Sequence, residues 1–254
     1  MGITGVVFVI TQVLLFYFSY KYQYKENNRA TFYPDNDKLE IIWTVVPAIA
    51  LTILVISGLQ AWNKITDEAP QNAEVIEIMG MQFAWSTRYP GPDNQLGGFD
   101  YRNIDAVNAF GVDFTDRNAH DDFIPREMHI PKGHPVLLKI RARDVLHSVF
   151  APHFRLKMDA VPGMPTKFWF VATKTTEEMR AETGNPDFNY EIACTEICGR
   201  GHFSMRLLLF VDEPEEYEKW KSEQQSWLSK NPEYLAKIPE NMRELAMINA
   251  GISK

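Results

Sequence analysis

The chain has 254 residues, 26 basic and 33 acidic side chains, a formal charge of −7 and 45% hydrophobic residues. That acidity, with no basic cluster carrying interleaved aromatics, excludes a nucleic-acid binder and points to a partner with a basic face. The length leaves ample chain for a single sandwich domain once a membrane hairpin is set aside.

Residues 6–20 form an apolar run without a charge. No basic segment precedes it and no small-residue cleavage pattern is evident, so it reads as a membrane span rather than a secretory signal. A span needs about 20 residues, reached here by counting from residue 2 or by a chain that continues upstream of Met1. Residues 41–62 are long enough, and carry Pro47 where neighbouring groups can satisfy the freed carbonyl. Glu40 opens this run, a place where the positive end of a helix dipole favours an acid. Lys21, Lys25, Arg29 and Lys38 lie between the two runs, whereas Lys64 is followed by Asp67 and Glu68. By the positive-inside rule the connecting loop is cytoplasmic and both ends of the chain lie outside. Residues 1–64 are therefore predicted as a transmembrane hairpin, with spans at about 2–20 and 41–62.

From residue 74 the pattern changes to short β-type runs at 74–79, 82–87, 136–140, 167–171, 190–193 and 205–211, separated by turn residues. This predicts an antiparallel sandwich over 72–212. The stretch between Pro90 and Pro125 is polar, rich in Gly and Asp, and reads as an inserted surface loop. Residues 213–230 are charged, with Tyr217, Trp220 and Trp227 at helical intervals, which suggests an amphipathic helix packing on the domain or on a neighbouring subunit, within a C-terminal helical tail over 213–254. The fold class is thus an α+β membrane protein: a helical hairpin, an all-β barrel or sandwich, and a C-terminal helix.

The chemistry concentrates in Cys194, Glu196, Cys198, His202 and Met205, a stretch that holds both cysteines of the chain. Thiolate, thioether and imidazole are soft or borderline donors that select copper or zinc over magnesium or calcium. Zinc rarely takes methionine, whereas electron-transfer copper uses thiolate, histidine and a weak axial methionine. A small disulfide loop is the alternative, but it needs neither His202 nor Met205. A further ligand must come from elsewhere. His147 sits in a short apolar β-type run that would exclude water and fix its ring. His120, His129, His134 and His153 lie in Pro- or Asp-rich surroundings and read as solvated or locally hydrogen-bonded.

The segments Asp144-Val145-Leu146-His147-Ser148 and Leu156 to Gly163, followed by the Cys194–Met205 motif, resemble subunit II of the haem–copper cytochrome c oxidases. The resemblance covers nearly the whole chain. It implies a cupredoxin barrel over 72–212 and a dinuclear copper-A centre of two copper ions bridged by Cys194 and Cys198. His147 and Met205 would complete one copper, and His202 with the Glu196 backbone carbonyl the other. The Glu196 side chain would reach a magnesium ion shared with subunit I. Glu40 would lie at the mouth of a proton-uptake route. Implied partners are subunit I with its haem and copper, further oxidase subunits, membrane lipid and a cytochrome c donor. The copper domain would hang on the periplasmic side of a two-span integral membrane protein. Relatives commonly show Gly-x-Gln-Trp-x-Trp where electrons arrive. This chain has Gly80-Met81-Gln82-Phe83-Ala84-Trp85, so Phe83 and Trp85 take that place. Without the first indole, the donor is either a soluble cytochrome c or one tethered in a larger assembly. A free-standing copper carrier is the competing reading, but it needs neither paired thiolates nor Glu40.

Overall fold

A computed structural model of the protein describes residues 1–29 and 32–252. Residues 30 and 31 of the loop between the two apolar runs, and the last two residues of the tail, lie outside the described residues. The chain divides into two units, Met1–Ile56 and Ser57–Lys254.

The first unit carries helix α1, Gly2–Lys21, and most of helix α2, Asp37–Thr66. At 1.5 Å per residue their 20 and 30 residues extend about 30 and about 45 Å, enough to cross a bilayer. Both are apolar around their circumference and none of the spanning windows is buried in the protein. A helix apolar on every side and unburied is built for lipid. The Asn36 side chain accepts the Leu39 N–H at 3.0 Å, while Asp37 and Glu40 place carboxylates in the first turn of α2. Pro47 has no N–H to offer within the helix, which frees the carbonyl one turn earlier.

The second unit is a two-sheet sandwich. One sheet has the order β2-β1-β4-β7, from Ala84–Arg88, Glu74–Met81, Pro135–Ala142 and Thr166–Val171. The other has the order β3-β9-β8-β5-β6, from Met128–Pro131, Arg206–Asp212, Tyr190–Cys194, His147–Ala151 and Leu156–Ala160. The expected purely antiparallel pattern is corrected in two places, because β1 runs parallel to β4 and β3 runs parallel to β9. Parallel neighbours require long crossovers, and the segments between these strands are long enough to provide them. The expected strand at 82–87 starts later, at Ala84. Gln82 and Phe83 instead form the turn between β1 and β2, whose register pairs Met81 with Ala84. Alternating residues of the facing strands fill the interior: Ile76, Ile78, Leu138, Ile140, Val149, Ile192, Leu207 and Leu209 are all buried.

Strand β1 is buried on both faces. Ile76 and Ile78 face the sandwich interior, while Met79 belongs to a second core that the sequence reading missed. The stretch 90–125 is not a free surface loop. Phe110, Val112, Phe114 and Ala119 pack with Trp227, Leu228, Tyr234 and Ile238 of the tail. Phe110, Val112 and Phe114 do alternate, but over only five residues inside a Gly- and Asp-rich stretch, which is why they read as loop. The helix expected over 213–230 is likewise interrupted. The tail breaks into α4, Pro214–Ser222, and α5, Trp227–Lys230, followed by a 3-10 turn and α6, Glu240–Asn249. (An earlier short helix, α3, spans Thr176–Thr183.) The break comes where Ser226 caps α5 and the Trp227 N–H donates to the Asp122 carbonyl at 2.7 Å.

A buried ionic group fastens the insert to the sheet. Arg88 on β2 donates to Glu77 on β1 at 2.7 Å and to Asp122 at 2.8 Å, and its third contact is the Gly97 carbonyl at 3.0 Å. Arg141 on β4 donates to the other Glu77 oxygen at 2.6 Å and to the Phe110 carbonyl. Two guanidinium groups face two carboxylates, so the buried charges are compensated.

Candidate metal centre

Strands β5, β8 and β9 are neighbours in one sheet, and their ends meet at one edge of the sandwich. Val149 on β5 pairs with Cys194, the last residue of β8, which leaves His147 at the same end. The Cys194 N–H donates to the Met205 carbonyl at 3.1 Å, so the segment from 195 to 204 is a loop closed across the β8–β9 pair. A hairpin connection of this kind returns its far end, Met205, to the side of its near end, Cys194.

The donors converge. The two cysteines are free thiols, both buried, with sulfurs 4.0 Å apart. His147 Nδ1 lies 3.9 Å from the Cys194 sulfur, and the Glu196 carbonyl oxygen lies 3.3 Å from it. His202 Nδ1 lies 3.7 Å and the Met205 sulfur 3.9 Å from the Cys198 sulfur. An ion bound at about 2.3 Å to two thiolates holds their sulfurs within about 4.6 Å of each other. The donor set therefore fits a thiolate-bridged soft metal. Burial, followed by the adjacent Cys194, pushes the Cys198 thiol above its ordinary range. Two buried thiols so close become paired thiolates only with a cation between them.

Asp144 orients the His147 ring. Its Oδ1 accepts from His147 Nε2 at 2.8 Å, and a carboxylate that only accepts assigns the ring proton to Nε2. Nδ1 then presents its lone pair toward Cys194. Asp144 also accepts the backbone N–H groups of Gln82 and Val145, each at 2.7 Å. Burial alone would raise the Asp144 pKa, but these bonds together leave it below the usual carboxylate value. The Trp85 ring meets the His147 ring edge-on at 5.9 Å and is itself buried.

Phe83 is 39% exposed and lies on the metal loop. A methyl group on Gly201 would stand 2.5 Å from Phe83 Cγ, so the ring occupies the space a larger residue would need. Gly199, with φ of +136°, takes a backbone conformation other residues resist. Ile197 and Phe203 extend from the same loop into solvent. The Glu196 side chain is exposed, and Glu40 is exposed in the first turn of α2.

The other histidines take no part in the cluster. His120 is fully buried with Nε2 3.0 Å from the Phe114 carbonyl. His129 bonds Asp212 and stacks between Phe210 and Trp220. His134 Nε2 lies 2.7 Å from the Asn72 carbonyl, and His153 meets Phe188 and Tyr190 edge-on. The sequence reading did not single out Asp144 or Gln82 as supports of the site. The Asp three residues before His147 was the available signal for the first, and the Gln of the Gly-x-Gln-Trp-x-Trp pattern was the available signal for the second.

Two family profiles match the chain: the transmembrane domain of cytochrome c oxidase subunit II over residues 1–61, and its periplasmic domain over residues 74–211. The chain belongs to the cytochrome c oxidase subunit II family. Among its relatives, the alternative cytochrome c oxidase subunit 2 of Bradyrhizobium diazoefficiens is 34% identical over 224 residues, covering 87% of this chain and 76% of that protein. The cytochrome c oxidase subunit 2 of Thermostichus vulcanus is 32% identical over 166 residues, covering 65% of this chain but only 37% of that longer protein. A solved periplasmic domain of subunit II from Bradyrhizobium japonicum is 27% identical, covers 61% of this chain and 95% of that one, and superposes with a TM-score of 0.41. Subunit II membership makes the protein a two-span membrane component of an oxidase, with its cupredoxin-like β domain on the periplasmic side.

Proposed function

We propose that the chain is the electron-uptake subunit of a proton-pumping terminal oxidase. It takes single electrons from a cytochrome c and passes them to haem in subunit I, where oxygen is reduced to water. The observation that carries this reading is the pair of free thiols 4.0 Å apart, ringed by two imidazole nitrogens, a thioether and a carbonyl oxygen.

Cys194, Cys198, His147, Met205, His202 and the Glu196 carbonyl would hold two copper ions between them. The bound pair supplies one-electron transfer with little change in geometry. The residues around it do the rest. Asp144 holds His147 in one tautomer, the β8–β9 loop fixes the spacing of both thiols, and the buried walls exclude water. The exposed Phe83 offers a donor an apolar contact over the loop, and Trp85 touches His147 beneath it. The Glu196 carboxylate, exposed on the same loop, supplies the hard oxygen that a magnesium ion shared with subunit I requires. Glu40 receives protons at the cytoplasmic start of α2. Lipid surrounds α1 and α2.

Electron paramagnetic resonance of the copper-loaded protein tests the centre. A mixed-valence hyperfine pattern from two equivalent copper nuclei is expected, and a mononuclear pattern overturns the dinuclear assignment. Cys194→Ser or Cys198→Ser should abolish the mixed-valence signal, since a hydroxyl is a poor soft-metal ligand. Met205→Leu, a change at a weak ligand, should shift the reduction potential more than the copper content.

A further inference from the structure

The turn between β1 and β2 joins the two halves of the metal centre, and Gln82 makes both connections. Its side-chain amide donates to the Cys198 carbonyl at 2.6 Å, across 116 residues of sequence. Its backbone N–H donates to Asp144 Oδ2 at 2.7 Å, across 62 residues. The other Asp144 oxygen holds His147 Nε2. One residue therefore links the thiolate loop on one side to the oriented histidine on the other. The link also crosses the sandwich: Gln82 follows β1 of the four-stranded sheet, whereas His147 and Cys194 lie on β5 and β8 of the five-stranded one. Phe83 lies against Gly199 and Gly201 of the same loop.

We propose that Gln82 is a positioning residue of the metal centre, setting the spacing between His147 and the Cys198 loop. This rests on the metal-centre reading above. The role requires an N–H donor at the reach of a glutamine side chain, since the Cys198 carbonyl can only accept. Outer partners of this kind act on how firmly and in what geometry ligands are held, and their loss costs about 10–100-fold in metal affinity or activity. Gln82 is exposed, so its replacement removes the link without opening the core.

The test uses the assembled oxidase carrying Gln82→Ala, Gln82→Glu or Gln82→Lys. Copper content, the hyperfine pattern, the rate of copper loss to a chelator and the KM for cytochrome c are measured for each. Gln82→Ala and Gln82→Glu lack the donor and should lose copper about 10–100-fold faster, with an altered hyperfine pattern. Gln82→Lys keeps a donor of similar reach and should stay close to the unaltered protein in both respects. Unaltered copper retention and hyperfine in Gln82→Ala, with a change confined to KM, overturns the proposal and makes Gln82 a contact for the donor alone. Gln82→Lys as impaired as Gln82→Ala overturns it as well. Absence of a mixed-valence signal in the unsubstituted oxidase is a separate failure, that of the dinuclear reading itself.

Discussion

Phe83 and Gly201 show how a single contact constrains the metal loop. Gly201 has φ of −90°, which any residue can adopt, so its need for glycine comes from the ring of Phe83 rather than from its own backbone. Gly201→Ala should displace the loop and lower copper retention, because the added methyl collides with Phe83 Cγ. Combining Gly201→Ala with Phe83→Gly, which removes the ring and the Cβ that would stand 2.9 Å from the methyl, should recover part of the loss, as expected of neighbours whose effects are not additive. Copper content and the visible spectrum of the two single variants and the double variant decide this. A double variant as poor as Gly201→Ala alone would show that something other than Phe83 crowds the position. The Asp144–His147 pair makes a comparable point, since a carboxylate outside the donor set decides which imidazole nitrogen is free.

At the scale of elements, the insert and the tail convert the outer face of β1 from a solvent surface into a second core. Among the polar ties that hold them, one centres on Asp122 and another on Asp105. Burial raises the Asp122 pKa to about 7, with the Arg88 charge opposing that rise. The folded protein then binds a proton at Asp122 more tightly than the unfolded chain does. Between the unfolded value and about pH 7 it holds the larger number of protons, so this contribution to stability falls as pH rises through that window. The melting temperature of the unsubstituted protein should therefore drop relative to Asp122→Asn between about pH 5 and about pH 8. Parallel curves would rule out Asp122 as the source. The second tie is Asp105, which accepts from Tyr234 OH at 2.7 Å and from Lys237 at 3.0 Å. The Asn108 N–H first, then Tyr234, hold its pKa below the usual range, so its contribution is present at neutral pH and lost on acidification. Tyr234→Phe should weaken tail docking by about 1 kcal/mol, allowing for the partial exposure of Asp105. Limited proteolysis in the tail at neutral pH should then be several-fold faster; an unchanged cleavage rate would mean that Asp105 carries little of the docking.

For the whole molecule, the proposed function makes proton uptake at Glu40 and electron uptake at the Cys194–Met205 loop separate steps. Glu40→Gln should slow turnover of the assembled oxidase while leaving reduction of the centre by its donor unchanged, which stopped-flow and steady-state rates measure together. Equal slowing of both steps would indicate a structural defect, and unchanged turnover would leave Glu40 as a helix-start acid only. The formal charge of −7 bears on the donor. A soluble basic cytochrome c should reduce the centre at a rate that falls steeply with salt, whereas a tethered donor should be nearly insensitive to it.

The sequence alone determined what depends on neighbours in the chain. Two apolar runs of spanning length revealed the membrane segments because hydropathy is a sum over consecutive residues. The soft-donor motif was legible because five of its members fall within twelve residues, on one loop closed by adjacent strands. Only the tertiary structure decided what long-range pairing sets. The parallel β1–β4 and β3–β9 ladders, the second core built from the insert and the tail, and the ionic group around Glu77 all join segments far apart in the chain. His147 stands 47 residues before Cys194, and Gln82 stands 116 before Cys198. An apolar flank marks the first as a candidate. The resemblance to the Gly-x-Gln-Trp-x-Trp pattern marks the second as a residue of interest but not its partner, because a surface glutamine in a turn reads the same whether it faces water or the Cys198 carbonyl.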